Sequence, residues 1–142
     1  MSEIKISTSQ TEIREARIIP KSSCYIIEIV YEKSESTTEN KQIAGVDLGV
    51  NNLIAVTTNQ TGISPLLIKG RPLKAINTFY NKQRSCLQSQ LKTNHNQSNS
   101  RRLKKLTHKR NCRVENYLHT ASKRVIDWCI KHEIGILIIG HN

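Results

Sequence analysis

Apolar residues gather into short, closely spaced runs in the first half of the chain and thin into widely spaced stripes in the second. Thr11 to Ile19 and Tyr25 to Tyr31 are two such runs on either side of Pro20-Lys21-Ser22-Ser23, the pattern of a β-hairpin. From Cys24 to Tyr31 the run is nearly continuous, with Glu28 as its one charged interruption. Ser34 to Lys41 is polar and acidic and reads as a linker. Two further runs, Ile43 to Leu48 and Leu53 to Val56, are rich in Val and Ile and separated by Gly49 to Asn52, which predicts two antiparallel strands joined by a tight connection. Thr58-Asn59-Gln60-Thr61-Gly62 makes another turn, and Ile63 to Lys69 supplies a third strand. Gly70-Arg71-Pro72 then ends strand structure, with Pro72 suited to a first helical turn.

From Leu73 the period changes from two to nearly four. Leu73, Ile76, Phe79, Tyr80, Leu87 and Leu91 recur at helical spacing and predict a helix to about Lys92. Asn94 to Ser100 is a polar breaker, and a second helix opens at Ser100, a suitable N-cap, and runs to about His132. Its apolar stripe is Leu103, Leu106, Val114, Tyr117, Leu118, Ala121, Val125, Trp128 and Cys129. The opposite face carries Arg101, Arg102, Lys104, Lys105, Lys109, Arg110 and Arg113. The short connection predicts an antiparallel pair, with both apolar stripes serving as core rather than as base-stacking surface. His108, His119 and His132 are read as ordinary surface or interface histidines without a ligand partner at i+4. Glu133-Ile134-Gly135 ends the helix, and Ile136 to Ile139 is a buried strand.

Composition narrows the class. With 142 residues, 37% hydrophobic and 4% aromatic, the chain has enough for about one domain with an aliphatic core. No apolar run is long enough to span a membrane, and Met1 to Lys5 lack a signal-peptide core, so a cytosolic location is expected. Cys24, Cys86, Cys112 and Cys129 stand far apart, with neither a zinc pattern nor a disulfide framework. Charge is the sharper signal. Residues 71 to 131 hold fifteen Lys and Arg against Glu115 and Asp127, a net of +13, whereas residues 1 to 70 hold seven against eight, a net of −1. The total of +11 therefore sits almost wholly on the helical half. Because the signs do not alternate there, a polyanion is favoured as partner over a merely solvated surface.

Asp47 is the one carboxylate inside the apolar Ile43 to Val56 stretch. An ionised side chain near a strand end is costly unless something positive meets it. A divalent metal bridging to phosphate would do so, and hydrogen bonds from turn amides would do so equally well. Gly45-Val46-Asp47-Leu48-Gly49-Val50-Asn51-Asn52-Leu53-Ile54-Ala55-Val56 resembles the first RuvC motif of the OrfB/TnpB family of insertion-sequence proteins. These transposon-encoded relatives of the type V CRISPR effectors were first known as transposases and are now understood as RNA-guided DNA nucleases. Arg17 to Lys21, Ile68 to Lys74, Tyr80 to Lys82, and Asn116 to His119 on to Gly135 to Gly140 are similar in the same order.

The resemblance implies a partial α/β domain of the RNase H-like (RuvC) kind over residues 41–142. It would hold a three-stranded antiparallel meander, a basic helical hairpin over 71–132 and a final strand parallel to the first, preceded by a β-rich segment over 1–40. A right-handed crossover would bring Gly140 beside Asp47. Residues 1–40 would be the end of a wedge-like barrel that grips guide RNA, or else a hairpin added to the main sheet. In RNase H-like nucleases a Glu at the end of the last strand joins the first Asp in holding two metals about 4 Å apart. Here the sequence reads Gly140-His141-Asn142, so Asp47 stands alone as catalytic and Mg²⁺ ligand, with His141 the one other donor nearby, and no zinc ribbon follows. A truncated frame, or one piece of a split protein, is therefore expected, with an uncovered sheet prone to self-association. Two function classes stay open: a remnant of an RNA-guided, metal-dependent DNA endonuclease, and a non-catalytic RNA- or DNA-binding module that competes with full-length copies. Under either, Arg71, Lys74, Arg101, Arg102, Lys104, Lys105, Lys109, Arg110 and Arg113 are the candidate nucleic-acid contacts. An ATPase-like use of Asp47-Leu48-Gly49 is disfavoured, because no further phosphate loop follows.

Overall fold

Each of the short apolar runs becomes a strand in the computed structural model, which describes residues 5–21, 24–35, 37, 39–95 and 97–140. Ser22 and Ser23 of the first turn, Ser36 and Thr38 of the linker, Asn96 of the helix breaker and the metal candidate His141 lie outside the described residues. The chain divides into two units, one ending at Thr37 and one starting at Thr38.

The first unit contains β1 (Ile13–Pro20) and β2 (Tyr25–Tyr31), which pair antiparallel with Ile18 opposite Ile27 and Arg17 opposite Glu28. They form a two-stranded sheet of their own. Arg17 also reaches Glu15 at 2.7 Å, which holds that carboxyl below its ordinary range. Arg14 pairs with Glu32 across the ends of the hairpin.

The second unit is mixed α/β. β3 (Gln42–Leu48), β4 (Asn52–Thr58), β5 (Leu66–Lys69) and β6 (Ile134–Ile139) form one sheet in the order β5-β4-β3-β6. β3, β4 and β5 are an antiparallel meander, and β6 lies parallel to β3, the arrangement expected from the order of elements. β5 starts three residues later than the apolar run suggests. Pro65 stands immediately before it and has no N–H to give to a ladder.

Two-residue alternation sends one set of side chains to one face. Ala44, Val46, Ile54, Val56 and Ile68 are buried there beneath Ala121, Val125 and Cys129 of α2 (Arg101–Lys131), with Ile134 completing the core. Burial pushes the Cys129 thiol up, away from reactivity. The other face is open: Ile136, Ile138 and Leu67 are exposed.

α2 opens where Ser100 accepts a hydrogen bond from the Leu103 amide at 3.2 Å, as its sequence suggests. α1 (Arg71–His95) lies antiparallel to the first half of α2. Tyr80 donates to Thr107 Oγ1 at 3.1 Å, because the Thr107 hydroxyl is itself spent on the Leu103 carbonyl at 3.1 Å. Arg110 donates to Asn77 Oδ1 through two nitrogens, at 2.9 and 2.7 Å. No described side chain of α1 is buried. Its apolar stripe is therefore not core, contrary to expectation. The reason is geometric: the sheet is covered by the second half of α2, and α1 packs on α2 beyond it. Among the described residues no helix is long and apolar enough to cross a membrane.

α2 ends at Lys131 with His132 as its C-cap, and the next residue, Glu133, takes φ 54°, in the left-handed region. That conformation costs a residue with a Cβ about 1–2 kcal/mol and costs glycine almost nothing. Glu133→Gly is accordingly expected to stabilise the fold by about 1 kcal/mol, raising the melting temperature by roughly 2–5 °C in a circular-dichroism melt.

Candidate nucleic-acid interface and the Asp47 position

The two paired helices leave a groove between them, with a volume of about 350 Å³. Its apolar lining is Ile76, Phe79, Tyr80, Leu87 and Leu106, and the cations along it are Arg102, Lys105, Lys109, Arg110 and Arg113. Positions 102, 105, 109 and 113 follow one another at three or four residues, so a single side of α2 carries the row, and all four are exposed. Among the described residues Gln83 is the one other polar residue along the groove, and no carboxylate lines it. Five cations so close together raise a positive potential that an exposed pair with a carboxylate would otherwise cancel.

The structure divides the sequence-predicted basic residues. Arg102, Lys105, Lys109, Arg110 and Arg113 are brought together along the groove, whereas Arg101 and Lys104 are exposed but do not line it. The row thus flanks the apolar residues of the hairpin rather than standing opposite them. Arg110 differs from its neighbours in being held. Besides Asn77, it donates to Asn111 Oδ1 at 3.0 Å, and its guanidinium lies 5.7 Å from the centre of the Tyr80 ring. Arg71 and Lys74 are exposed in the first turn of α1, and the Lys74 ammonium donates to Asn51 Oδ1 in the β3–β4 turn.

Sequence reading missed Phe79, which is 55% exposed at the groove, and the Asn77 brace. The available signal was Gln83. It occupies the place where a buried stripe would need an apolar residue between Tyr80 and Leu87. Cys112 Sγ, at i+4, lies 3.6 Å from His108 Nε2, a hydrogen-bond contact. His132 packs its ring on Trp128, centroids 4.8 Å apart.

Asp47 sits on the open face of the sheet, opposite Ala55 in β4, and is exposed. The expected desolvation cost of a carboxylate inside the sheet is therefore absent, because no described residue of the second unit covers Asp47. No hydrogen bond or ion pair among the described residues engages it, so the alternative of a carboxylate held by turn amides is not met either. The parallel register sets Val46 beside Ile139, and the Gly140 amide donates to the Val46 carbonyl at 3.0 Å, which carries the ladder to Asp47 and Gly140. These two residues share a shallow depression with Gly45, Thr57, Pro65 and Ile138. Among the described residues Asp47 is its one ionisable side chain. Among the described residues no three His, Cys, Asp or Glu come together. This donor set does not fit a two-metal centre, which needs several carboxylates converging on both ions.

Residues 26–142 match the model of the family OrfB_IS605, described as "probable transposase". No curated protein matches the sequence. Among solved structures, the cryo-EM structure of the Cas12f1–sgRNA–target DNA complex is similar with a TM-score of 0.56, over 87% of this chain and 29% of that one, at 17% identity. At that identity the likeness is one of fold. The chain spans less than a third of the length of the Cas12f1 chain it matches.

Proposed function

From its membership of the OrfB_IS605 family of probable transposases, we propose that this chain is a TnpB-like protein that binds nucleic acid along the groove-side row of α2 and does not cleave it unaided. The observation that carries the proposal is the alignment of Arg102, Lys105, Lys109 and Arg113 on one side of a helix with no carboxylate among them. Side chains spaced along a rigid helix meet successive phosphates with little further loss of freedom. Phosphate contacts position a strand without reading its sequence, so binding is sequence-blind. The partners are guide RNA and DNA, in keeping with the sgRNA and target DNA held by Cas12f1. The sheet of the second unit is RuvC-type and RNase H-like, residues 1–40 belong to a wedge-like region, and the protein works in the cytosol. Asp47 corresponds to the first acidic ligand of that domain type, where Mg²⁺ would bind. The register partner Gly140 brings no second carboxylate. That observation favours a binding module over a self-sufficient nuclease.

The test is a salt titration alongside a cleavage assay. With four phosphates neutralised, log K plotted against log[salt] should fall with a slope of roughly −3 to −4. Incubation with Mg²⁺ or Mn²⁺ should leave single- and double-stranded DNA intact. A salt-independent Kd would remove the binding reading. Cleavage that vanishes in Asp47→Ala would remove the non-catalytic one.

A further inference from the structure

We propose that the groove between α1 and α2 is a single-strand site in which Phe79 stacks on an unpaired base while the cations of α2 hold the phosphates on either side. The inference rests on the nucleic-acid reading above and deepens it. An aromatic ring 55% exposed on a helix with no described side chain buried contributes little to the core. Its place is nevertheless specific: it lines a cleft that also gathers Arg102, Lys105, Lys109, Arg110 and Arg113.

Apolar clefts on proteins attract apolar partners, but five cations along the lining would oppose an apolar helix, whose burial would strip them of water. A ligand that is flat and apolar at its faces and anionic at its margins satisfies both halves of the lining. An unpaired nucleotide in a strand has that character, since each base offers a π-face between two phosphates. A volume of about 350 Å³ lies within the roughly 300–1,000 Å³ of small-ligand clefts. Duplex nucleic acid keeps its bases stacked and cannot place one in the groove without opening a pair.

The fixed elements around Phe79 supply preorganisation. Tyr80 is tied to Thr107, and Arg110 is held by Asn77 and Asn111 over the Tyr80 ring. The floor therefore keeps its shape, and Phe79 together with the four exposed cations meets the strand.

The experiment measures binding of a fluorescent oligothymidine and of a duplex of the same length by anisotropy at fixed salt. The oligothymidine should bind more tightly than the duplex. Phe79→Ala should weaken the single strand by roughly 5- to 150-fold, leave the duplex unchanged and keep the salt slope. Phe79→Trp should restore the single-strand affinity, with its emission quenched by oligothymidine and not by duplex. Circular dichroism checks the fold of each variant, and the quenching of the Trp variant stands on its own if the Ala variant is damaged. Equal single-strand binding by wild type and Phe79→Ala overturns the proposal while leaving phosphate binding in place. So does a dimer that Phe79→Ala dissociates, which would make the groove a protein interface. If neither strand form binds the wild type, the basic-row reading falls as well.

Discussion

Gly70→Ala is expected to lower the melting temperature by roughly 5–12 °C. Gly70 is buried between the end of β5 and the start of α1, and its amide donates to the Asn51 carbonyl at 2.8 Å. A Cβ added there would fall on the carbonyl oxygen of Val50, a backbone atom of the β3–β4 turn that no rotamer change can remove. Either the turn or the helix start must shift, at the cost of about 2–3 kcal/mol typical of overpacking. Gly45→Ala is the control, because a Cβ at Gly45 meets nothing within 4 Å on the open face. Thermal melts of the two variants should separate clearly. An unchanged Gly70→Ala melt would mean that the turn yields without penalty.

Changing Arg102, Lys105, Lys109 and Arg113 together to Gln is expected to weaken nucleic-acid binding by about three orders of magnitude near 0.1 M salt. Each phosphate contact contributes about 0.7–0.9 to the slope of log K against log[salt], and by extrapolation from 1 M a similar share of log K at 0.1 M. The slope itself should flatten by roughly 3 units. These side chains are exposed, so helix content should be unchanged. Arg110 is left out of the set, since it braces the hairpin through Asn77 and its loss would mix packing with charge. Arg101→Gln with Lys104→Gln serves as the comparison: the same kind of charge loss away from the groove should cost far less. If the two sets weaken binding equally per charge, the groove has no privileged role and the effect is one of net charge.

Where the backbone alone decides, the sequence was enough. The Ile43 to Val56 hairpin, the Ser100 cap and the parallel return of β6 follow from apolar period, turn residues and the handedness of crossovers, all local or topological rules. Burial was harder to read. Leu103, Ala121, Val125 and Cys129 are buried as their stripe predicts, while Leu118 of the same stripe is 42% exposed and Phe79 of the other is 55% exposed. Periodicity reveals which side of a helix is apolar, not whether another element lies against it. The same gap accounts for Asp47, whose exposure depends on what covers the far face of the sheet. The groove itself, with its floor braced by Asn77 and Arg110, joins residues more than thirty apart in sequence, and no local pattern connects them.

Gly140 has an evolutionary consequence. A Cβ placed on it would meet the Val46 carbonyl at 3.7 Å, an ordinary contact, so the backbone beside Asp47 already accommodates a side chain. Nothing in the strand's path would have to be rebuilt to seat an acid there. In the genetic code every glycine codon lies one base substitution from an aspartate or glutamate codon. At this position a second carboxylate beside Asp47 is thus a single point mutation away. Selection acting on the codon could add or remove that acid while the scaffold stays as it is.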